Sequence, residues 1–448
     1  MQSEQRKVLD HIFYSLGRFS FDRAKEICDR EKDAIKNPQG FAAVWSQFVV
    51  SLSQLSLAEK GYMMLVFLTQ TPNNKKAFRN KELPMRSLYG QIKHDLEKTV
   101  DALRGLPPLE GYSDDLAPPV LSHLCTQLSH FTAARLDMCD VYERLHEMGL
   151  DRTNRYPEVN GLVDMVIGAY GKKFHHPCLA ILESAFSYET EILKSLIDAQ
   201  LSMANWDFLA SLVHINQAHR RLALWPTSVQ APESSLPANY KIAPLKSISP
   251  PALYTWFVKY QTALLAKFSL YFHDVLSKQT GLAAEFRTLL TRNNPDYYSK
   301  IATFQRKSDA SHICLVLDTN GMDYRGPGYR FPGAEIEKPT GLDTYPVIFS
   351  YPAERPTKHW PSIVMILASR SDQFEGPDNA ISTYDKIEKE NKITMERTYF
   401  IARIEERFYI VLIFEIKKSE KDSAVNLFLS DMVTQLRGSA VLESLKPV

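Results

Sequence analysis

The stretch KSDASHICLVLDTNG, residues 307–321, marks the point at which the chain changes from one pattern to another. Before it, apolar residues recur every three or four positions, which is typical of amphipathic helices. After it come short runs of β-branched and aromatic residues bounded by glycine, proline and charge, which is typical of strands. The sequence therefore predicts a multidomain α+β protein: an all-α helical bundle over residues 1–300 and a smaller mixed α/β sheet domain over residues 305–448.

Several amphipathic helices are predicted in the first region. Four long ones carry apolar residues along one face, and three of these have proline at their start. They cover residues 41–55, 118–149, 177–197 and 253–275, and shorter helices are expected near residues 8–35, 86–103, 158–171 and 206–224. The pattern predicts an antiparallel bundle with extra helices.

Two segments of the helical region need a separate interpretation. Residues 226–251 are rich in proline and serine, which indicates an exposed loop inserted between helices. Residues 41–70 are apolar enough to suggest a membrane span, but Glu59 and Lys60 fall where hydrocarbon would penalise charge. We expect a buried helix there. The first residues, MQSEQRKVLD, lack the apolar core of a signal peptide, so membrane association is expected only through partners.

The second region contains five predicted strands and two predicted helices. The strands are residues 313–317, 347–349, 363–367, 399–401 and 408–414, and the helices are residues 378–391 and 419–437. The last two strands are expected to form a hairpin, and Ser419 with Asp422 suggests a capping box. These elements predict a small mixed sheet with helices on one face, and a longin or roadblock-like fold is the candidate.

Charge and cysteine content limit the possible functions. The chain has 53 basic and 52 acidic residues and a formal net charge of +1, whereas nucleic-acid binders usually show a basic stripe. No nucleic-acid partner is predicted. Its five cysteines include no C-x-x-C spacing, which favours a reducing compartment.

None of the motifs that suggest chemistry is complete. Gly326-Pro-Gly328 is not followed by the lysine and hydroxyl residue of a phosphate-binding loop. His175, His176 and Cys178 are interrupted by a proline, so a helix-entry turn is favoured over a zinc site. Ser269 and His273 lack a nucleophile elbow and are expected to make structural hydrogen bonds between helices. We predict no catalytic, cofactor-binding or metal-binding residue.

Two short segments in the second region are candidates for partner binding. They flank predicted strands, where exposed aromatic and charged side chains are suited to protein contact. The candidate residues are His359, Trp360, Lys417, Lys418, Glu420, Lys421 and Asp422. Each segment also has a purely structural interpretation. The first can anchor a turn, and the second can be the solvated start of a helix.

Five blocks of sequence together resemble one known family. They are FHHP at 174–177, LLAKFSLYFHDVLSKQT at 264–280, NPDYYSKI at 294–301, ERPTKHWP at 354–361 and FEIKKSEKDS at 414–423. Their order and the helical-then-sheet layout resemble the linker-subunit family of the KICSTOR complex. The resemblance implies a protein without assigned catalytic residues. It also implies assembly with kaptin, an FG-GAP-repeat propeller subunit and a large scaffold subunit.

The function implied by this resemblance is that of a non-enzymatic scaffold or adaptor. It would be a cytoplasmic protein recruited through partners to the lysosomal membrane surface, where KICSTOR holds the GATOR GTPase-activating complex. The complex would thereby restrain mTOR complex 1 when amino acids or glucose are scarce. Two alternatives remain open: an enzyme with a site in the cleft between the two regions, and a direct regulator of a small GTPase.

Overall fold

A computed structural model of the chain describes residues 4–69, 85–106, 118–225, 249–279, 283–324, 326–329, 338–374, 380–389 and 392–447. These residues form fifteen α-helices and five β-strands. The helices are α1 (Glu4–Gly17), α2 (Phe21–Ala34), α3 (Phe41–Met63), α4 (Met85–Arg104), α5 (Pro118–Asp151), α6 (Tyr156–Tyr170), α7 (Ala180–Ala204), α8 (Phe208–Leu224), α9 (Ala252–Tyr271), α10 (His273–Gln279), α11 (Ala283–Leu290), α12 (Tyr297–Ser308), α13 (Trp360–Ser369), α14 (Ser423–Arg437) and α15 (Ser439–Glu443). The strands are β1 (His312–Leu317), β2 (Val347–Tyr351), β3 (Ala380–Lys389), β4 (Lys392–Glu405) and β5 (Phe408–Phe414).

The long predicted helices are confirmed as α3, α5, α7 and α9. Helix α5, with 34 residues, packs against α4, α6 and the C-terminal α15. The helix was predicted to end at Gly149, but α5 continues to Asp151. A Cβ at Gly149 would lie 2.4 Å from the main-chain nitrogen of Glu443. This glycine therefore allows α15 to approach α5.

Helix α3 is the one helix among the described residues that is long and apolar enough to cross a membrane. Of its apolar window, 56% is buried inside the protein. Trp45 and Phe48 contribute to the hydrophobic core, and Glu59 is buried in an ion pair. The expectation of a buried helix is confirmed. The predicted proline-rich loop falls mostly outside the described residues, at 226–248.

The five strands form one sheet in the order β2-β1-β5-β4-β3. All four pairings are antiparallel, so the sheet is not of mixed strand direction as predicted. The predicted hairpin is confirmed: β4 and β5 pair from Thr398↔Phe414 to Glu405↔Phe408. Two strands, one helix, three strands and two helices follow one another along the chain. This is the α/β layout predicted after the bundle.

Two elements of this region were predicted wrongly, in opposite senses. Residues 363–367 belong to helix α13, not to a strand. Pro361 fits the first turn of that helix. The prediction failed because a five-residue apolar run is compatible with either a strand or a buried helix. Residues 380–389 form strand β3, not a helix. Backbone pairing with β4 along its whole length decides that conformation.

The start of the last long helix also differs from the prediction. Asp422, not Ser419, is the N-cap of α14. Its carboxylate accepts hydrogen bonds from the main-chain nitrogens of Ala424 (3.0 Å) and Val425 (3.1 Å). The helix therefore begins at Ser423, because an N-cap side chain satisfies the free N–H groups of the first turn.

Helices cover both faces of the sheet, where only one covered face was predicted. Ile313, Leu315 and Leu412 face the bundle and join its hydrophobic core. The alternate residues Cys314 and Val316 pack with the α13 side in a smaller core. The larger core includes residues of both the bundle and the sheet. The predicted boundary between two domains, between residues 300 and 305, therefore stays a prediction.

Candidate partner-binding surface

A buried group of charged and phenolic side chains lies inside the bundle, and we call it the bundle cluster. It consists of Arg135, Glu59, Glu189, Tyr62, Tyr89 and Tyr142, all in the core. The Arg135 guanidinium donates to both carboxylate oxygens of Glu59, at 3.0 and 2.9 Å, and also to Glu189. Tyr89 donates to Glu59 at 2.8 Å, and Tyr142 donates to Glu189 at 2.9 Å. Burial raises the pKa of both tyrosines, which keeps their hydroxyls protonated.

A second buried group joins the bundle to the sheet, and we call it the seam cluster. Glu405 at the end of β4 accepts from the Lys267 ammonium of α9 and from the Gln200 amide of α7, each at 2.6 Å. The Tyr271 hydroxyl donates to the other carboxylate oxygen of Glu405 at 3.2 Å. Burial lowers the pKa of Lys267, and the carboxylate of Glu405 opposes that shift. The cluster therefore fixes how the sheet docks on the helices.

Aromatic rings pack in the same seam between the bundle and the sheet. The rings of Trp206 and Phe272 have centroids 4.5 Å apart, and those of Tyr271 and Phe408 are stacked at 4.6 Å. The Trp206 indole donates to the main-chain oxygen of Gly326 at 2.8 Å. This glycine belongs to the segment tested above as a phosphate loop, and its role here is to receive a structural hydrogen bond.

The residues that superficially suggested a zinc site or a nucleophile have structural partners. Nδ1 of His176 accepts from the main-chain nitrogen of Cys178 at 3.1 Å, which confirms the helix-entry cap. Burial lowers the pKa of His176 to about 4. The Ser269 hydroxyl donates to the main-chain oxygen of Leu265 at 2.8 Å, within its own helix, so the hydrogen bond between helices expected for Ser269 was predicted wrongly. The His273 ring packs against Phe349. Across the described ranges, no group of three or more His, Cys, Asp or Glu is placed to hold a metal ion.

The first partner-binding candidates, His359 and Trp360, are buried at the start of α13. They are 3% and 2% exposed. His359 lies 3.1 Å from the Tyr399 hydroxyl and 3.2 Å from the Glu415 carboxylate. The Trp360 indole donates to a main-chain oxygen at 3.3 Å, and the Arg355 guanidinium lies 4.8 Å from its ring. A partner at this position would therefore meet the more exposed Glu415 and Arg355 that cover the two rings.

The second set of candidates forms the loop between β5 and α14. Lys418 lies 3.8 Å from the N-cap Asp422, and its main-chain nitrogen donates to the Thr398 hydroxyl. The Lys417 ammonium stands 5.2 Å from the Tyr384 ring on β3. These contacts hold the loop on the sheet. Lys417, Glu420 and Lys421 are exposed, whereas Lys418 is half-buried.

Glu420 and Lys421 border a groove that runs between the sheet and α14, which we call the sheet–helix groove. Its volume is about 500 Å³. It is lined by Ala380, Ser382, Phe400, Ala402, Arg403, Glu420, Lys421, Asn426, Leu429, Ser430 and Val433. Apolar side chains from β4 and α14 thus meet three charged residues in one concavity, the mixture typical of protein-binding surfaces.

Strand β3 stands at one side of this groove and is an edge strand of the sheet. In the described part of the chain it pairs with β4 alone. An edge strand presents unpaired main-chain groups, and addition of a strand from another protein is a common mode of peptide recognition. The groove was missed from sequence because residues 380–389 were predicted as helix. The β-branched residues Ile381 and Thr383, at alternate positions, were the signal available.

Comparison with known proteins adds a family to this geometry. The family model described as "KICSTOR complex C12orf66 like" matches residues 2–448. The chain belongs to this family. A protein of Danio rerio named "KICSTOR subunit 2" is 37% identical over 446 residues, which is 99% of this chain and 96% of that protein. A protein of Xenopus laevis with the same name is 35% identical over 444 residues, covering 99% and 97% respectively.

The KICSTOR resemblance drawn from the sequence blocks is thereby confirmed. Its blocks fall on both sides of the seam. Residues 264–279 belong to α9 and α10, and include Lys267 of the seam cluster. Residues 354–361 lead into α13, and residues 414–423 connect β5 to α14. In this member of the KICSTOR family, the residues predicted to bind partners lie in those last two blocks.

Proposed function

We propose that this chain is a non-enzymatic adaptor subunit of a KICSTOR complex. The observation that carries the proposal is the 37% identity, over 99% of the chain, to a protein named as a KICSTOR subunit. The packing supports an adaptor over an enzyme in the cleft. Glu405 and Lys267, the charged pair of the seam cluster, are buried and bonded to each other, whereas catalysis needs such groups to reach a substrate.

The finer part of the proposal follows the family resemblance. The chain joins kaptin, the FG-GAP-repeat propeller subunit and the large scaffold subunit. It acts in the cytoplasm and reaches the lysosomal surface through those partners. There the complex recruits the GATOR GTPase-activating complex and restrains mTOR complex 1 during amino-acid or glucose starvation.

The sheet–helix groove is the proposed contact for one of these partners. Its edge strand can pair with an extended segment, and its apolar floor can receive that segment's side chains. Glu420 and Lys421 stand at the rim with opposite charges. Exchange of the two, E420K/K421E, keeps the net charge but reverses the local pattern, so it is expected to weaken the matched contact.

Co-purification of the tagged full-length chain from cells tests both levels of the proposal. The wild-type chain should recover kaptin and the large scaffold subunit as stable partners. The E420K/K421E variant should recover less of one of them, whereas K36E, a charge reversal at an exposed lysine after α2, should recover all. Absence of every KICSTOR partner from the wild-type sample would refute the adaptor proposal. Equal recovery by all variants would refute only the groove.

A direct regulator of a small GTPase is a second candidate, and the sheet topology favours it. The order β2-β1-β5-β4-β3, with one helix after the second strand and two after the fifth, suits a longin-like domain. Such domains occur in GTPase machinery, so the argument is one of fold analogy. Nucleotide exchange and hydrolysis assays with purified Rag proteins test it. Rates that the chain leaves unchanged would count against it.

A further inference from the structure

Two neighbouring helices of the bundle, α8 and α9, expose large apolar side chains to solvent. Each of these side chains is between 36% and 48% exposed. They are Leu209, Leu212 and Val213 on α8, and Val258 and Leu265 on α9. We call the surface of these five residues the α8–α9 face. A group of large apolar side chains on the outside of a soluble protein marks a contact with another molecule when polar residues surround it.

Contacts between the two helices place the five side chains on one surface. The rings of Phe208 and Phe268 have centroids 5.3 Å apart. At the other end of α8, the Tyr254 hydroxyl donates to the main-chain oxygen of Leu222 at 2.9 Å. Residue numbers therefore rise along α8 as they fall along α9, so the helices lie side by side and antiparallel.

The apolar residues of the α8–α9 face repeat at helical spacing. Leu209 and Leu212 lie about one turn apart on α8, and Val258 and Leu265 lie about two turns apart on α9. In the antiparallel register, Leu212 and Leu265 come to the same level of the two helices. Helix α8 packs into the bundle with a different stripe, formed by Phe208, Ser211, Ile215, Ala218 and Leu222. The outward stripe is therefore additional to the one that holds the helix in place.

The exposed charge of the two helices is positive. Neither helix contains an aspartate or a glutamate. Arg220 lies about two turns beyond Val213 on α8, and Lys259 follows Val258 on α9. Both cations are exposed, and neither forms an ion pair within the described part of the chain. They can therefore pair with acidic groups of another molecule.

Acidic residues beside α8 have partners of their own. The Asp207 carboxylate accepts from the main-chain nitrogen of Ala210 at 3.0 Å and caps the helix. The Glu191 carboxylate on α7 accepts from Arg221 at 2.6 Å. Neither is paired with the two exposed cations, so the middle of the face keeps its positive charge.

We propose that the α8–α9 face binds an amphipathic helix of a partner protein, in which acidic residues border a leucine-rich stripe. Two antiparallel helices with apolar residues on their adjoining outer sides form a groove that a third helix can fill. The acidic residues of that helix complement Arg220 and Lys259. The contact goes beyond the function proposed above, because it involves neither strand β3 nor the loop before α14.

A helix of another protein fits this face better than a lipid surface does. Helices that lie on membranes combine a strongly basic polar face with aromatic and leucine side chains. The α8–α9 face has two exposed cations beside it and no aromatic residue among its five apolar ones. Its composition is that of a helix-binding groove with a modest preference for negative charge.

Fluorescence polarisation with the purified full-length chain tests the proposal. The probe is a fluorescein-labelled helical peptide of about 18 residues, with leucine at every third or fourth position, glutamate beside that stripe and alanine elsewhere. The wild-type chain should bind it. L212Q/L265Q should weaken binding at least about tenfold, because each leucine loses its burial against the peptide. L57Q, at a leucine of α3 that is 43% exposed, should leave binding unchanged.

The contribution of charge is tested with a second pair of variants. R220E/K259E should weaken binding about fivefold, since exposed ion pairs contribute modestly. R104E, at an exposed arginine on α4, should have no effect. A peptide with lysine in place of glutamate should bind the wild-type chain more weakly. A peptide of unchanged composition, with its leucines spread around the helix, should not bind.

Several results would overturn the proposal. They include no binding by the wild-type chain, equal affinity of L212Q/L265Q and L57Q, and equal binding of the two leucine arrangements. V213Q replaces the double variant if thermal melting shows that the latter is unfolded. Loss of binding to phosphatidylserine vesicles alone would indicate a lipid surface instead. A wild-type dimer that L212Q/L265Q converts to a monomer in sedimentation would assign the face to a second copy of the chain. Because one purified chain is used, the result does not depend on KICSTOR assembly.

Discussion

The bundle cluster and the seam cluster use the same chemistry at two levels of the structure. In the first, Arg135 links α5 to carboxylates on α3 and α7, which lie 76 and 54 residues away along the chain. In the second, Glu405 of the sheet is bound by Lys267, which lies 138 residues away on α9. One cluster fixes helices against helices, whereas the other fixes the sheet against the bundle.

The two clusters differ in how many hydrogen-bond donors remain for their carboxylates when the cation is removed. The bundle cluster has a single cation for two carboxylates, so its removal leaves both without a charge partner. The seam cluster has one carboxylate with three donors, and two of these remain if the lysine is removed. Removal of one member of a buried pair is strongly destabilising, because the other charge stays buried. We therefore expect removal of the arginine from the bundle cluster to destabilise the whole fold. Removal of the lysine from the seam cluster should mainly loosen the contact between the sheet and the bundle.

The largest expected effect is that of R135M. It should reduce the free energy of unfolding by about 3–5 kcal/mol, since two buried carboxylates lose their cation. Chemical denaturation measures it. R144M is the matched control on the same helix, because Arg144 is 46% exposed and pairs only with exposed acidic residues. Its effect should be below about 1 kcal/mol. Similar losses for the two variants would contradict the role of the bundle cluster.

K267M should have the next largest effect, about 3 kcal/mol, because Gln200 and Tyr271 still donate to Glu405. Hydrogen exchange should rise in β4 and β5 more than in α5. The double variant K267M/E405Q removes the buried charge but keeps an acceptor, so it should recover part of the loss. A double variant no more stable than K267M would show that packing, not charge, governs the seam.

G149A tests an uncharged contact between the helical bundle and the C-terminal region, where α5 meets α15. The added methyl group would meet the main chain of α15 at 2.4 Å, so α15 must shift from α5. We expect a loss of about 1–3 kcal/mol. G161A, at an exposed helical glycine on α6 with nothing within 4 Å of the new methyl group, should instead stabilise by about 0.5–1 kcal/mol. Equal effects in thermal melts would refute the close approach.

The smallest expected effect is a dependence on pH from the neutral cap His176. Its pKa falls from 6.5 to about 4 on folding, so the unfolded chain takes up a proton first as the pH is lowered. Stability from this group is complete above pH 6.5 and is lost as the pH falls toward about 4. In H176N, where the side chain can still accept from Cys178, the melting temperature should fall less between about pH 7 and about pH 5. An identical fall in both proteins would assign the dependence to other groups.

The sequence predicted the division into a helical region and a sheet region, and most helices within about two turns of their ends. It did so because periodicity records which side of an element is buried. It also identified the family from short blocks of residues. It placed Glu420 and Lys421 at a surface suited to contact, but not the groove beside them. Two of its lining residues, Ala380 and Ser382, belong to a strand predicted as helix.

What only the tertiary structure decided are the features that depend on residues far apart in the chain. Neither Arg135 nor Lys267 carries a local sign of its buried partner, since the partner arrives from another helix or from the sheet. Residues 363–367 and 380–389 exchanged their predicted conformations because packing and strand pairing outweigh local preference in short segments. Local patterns specify which face of an element is apolar, and the three-dimensional fold specifies what that face meets.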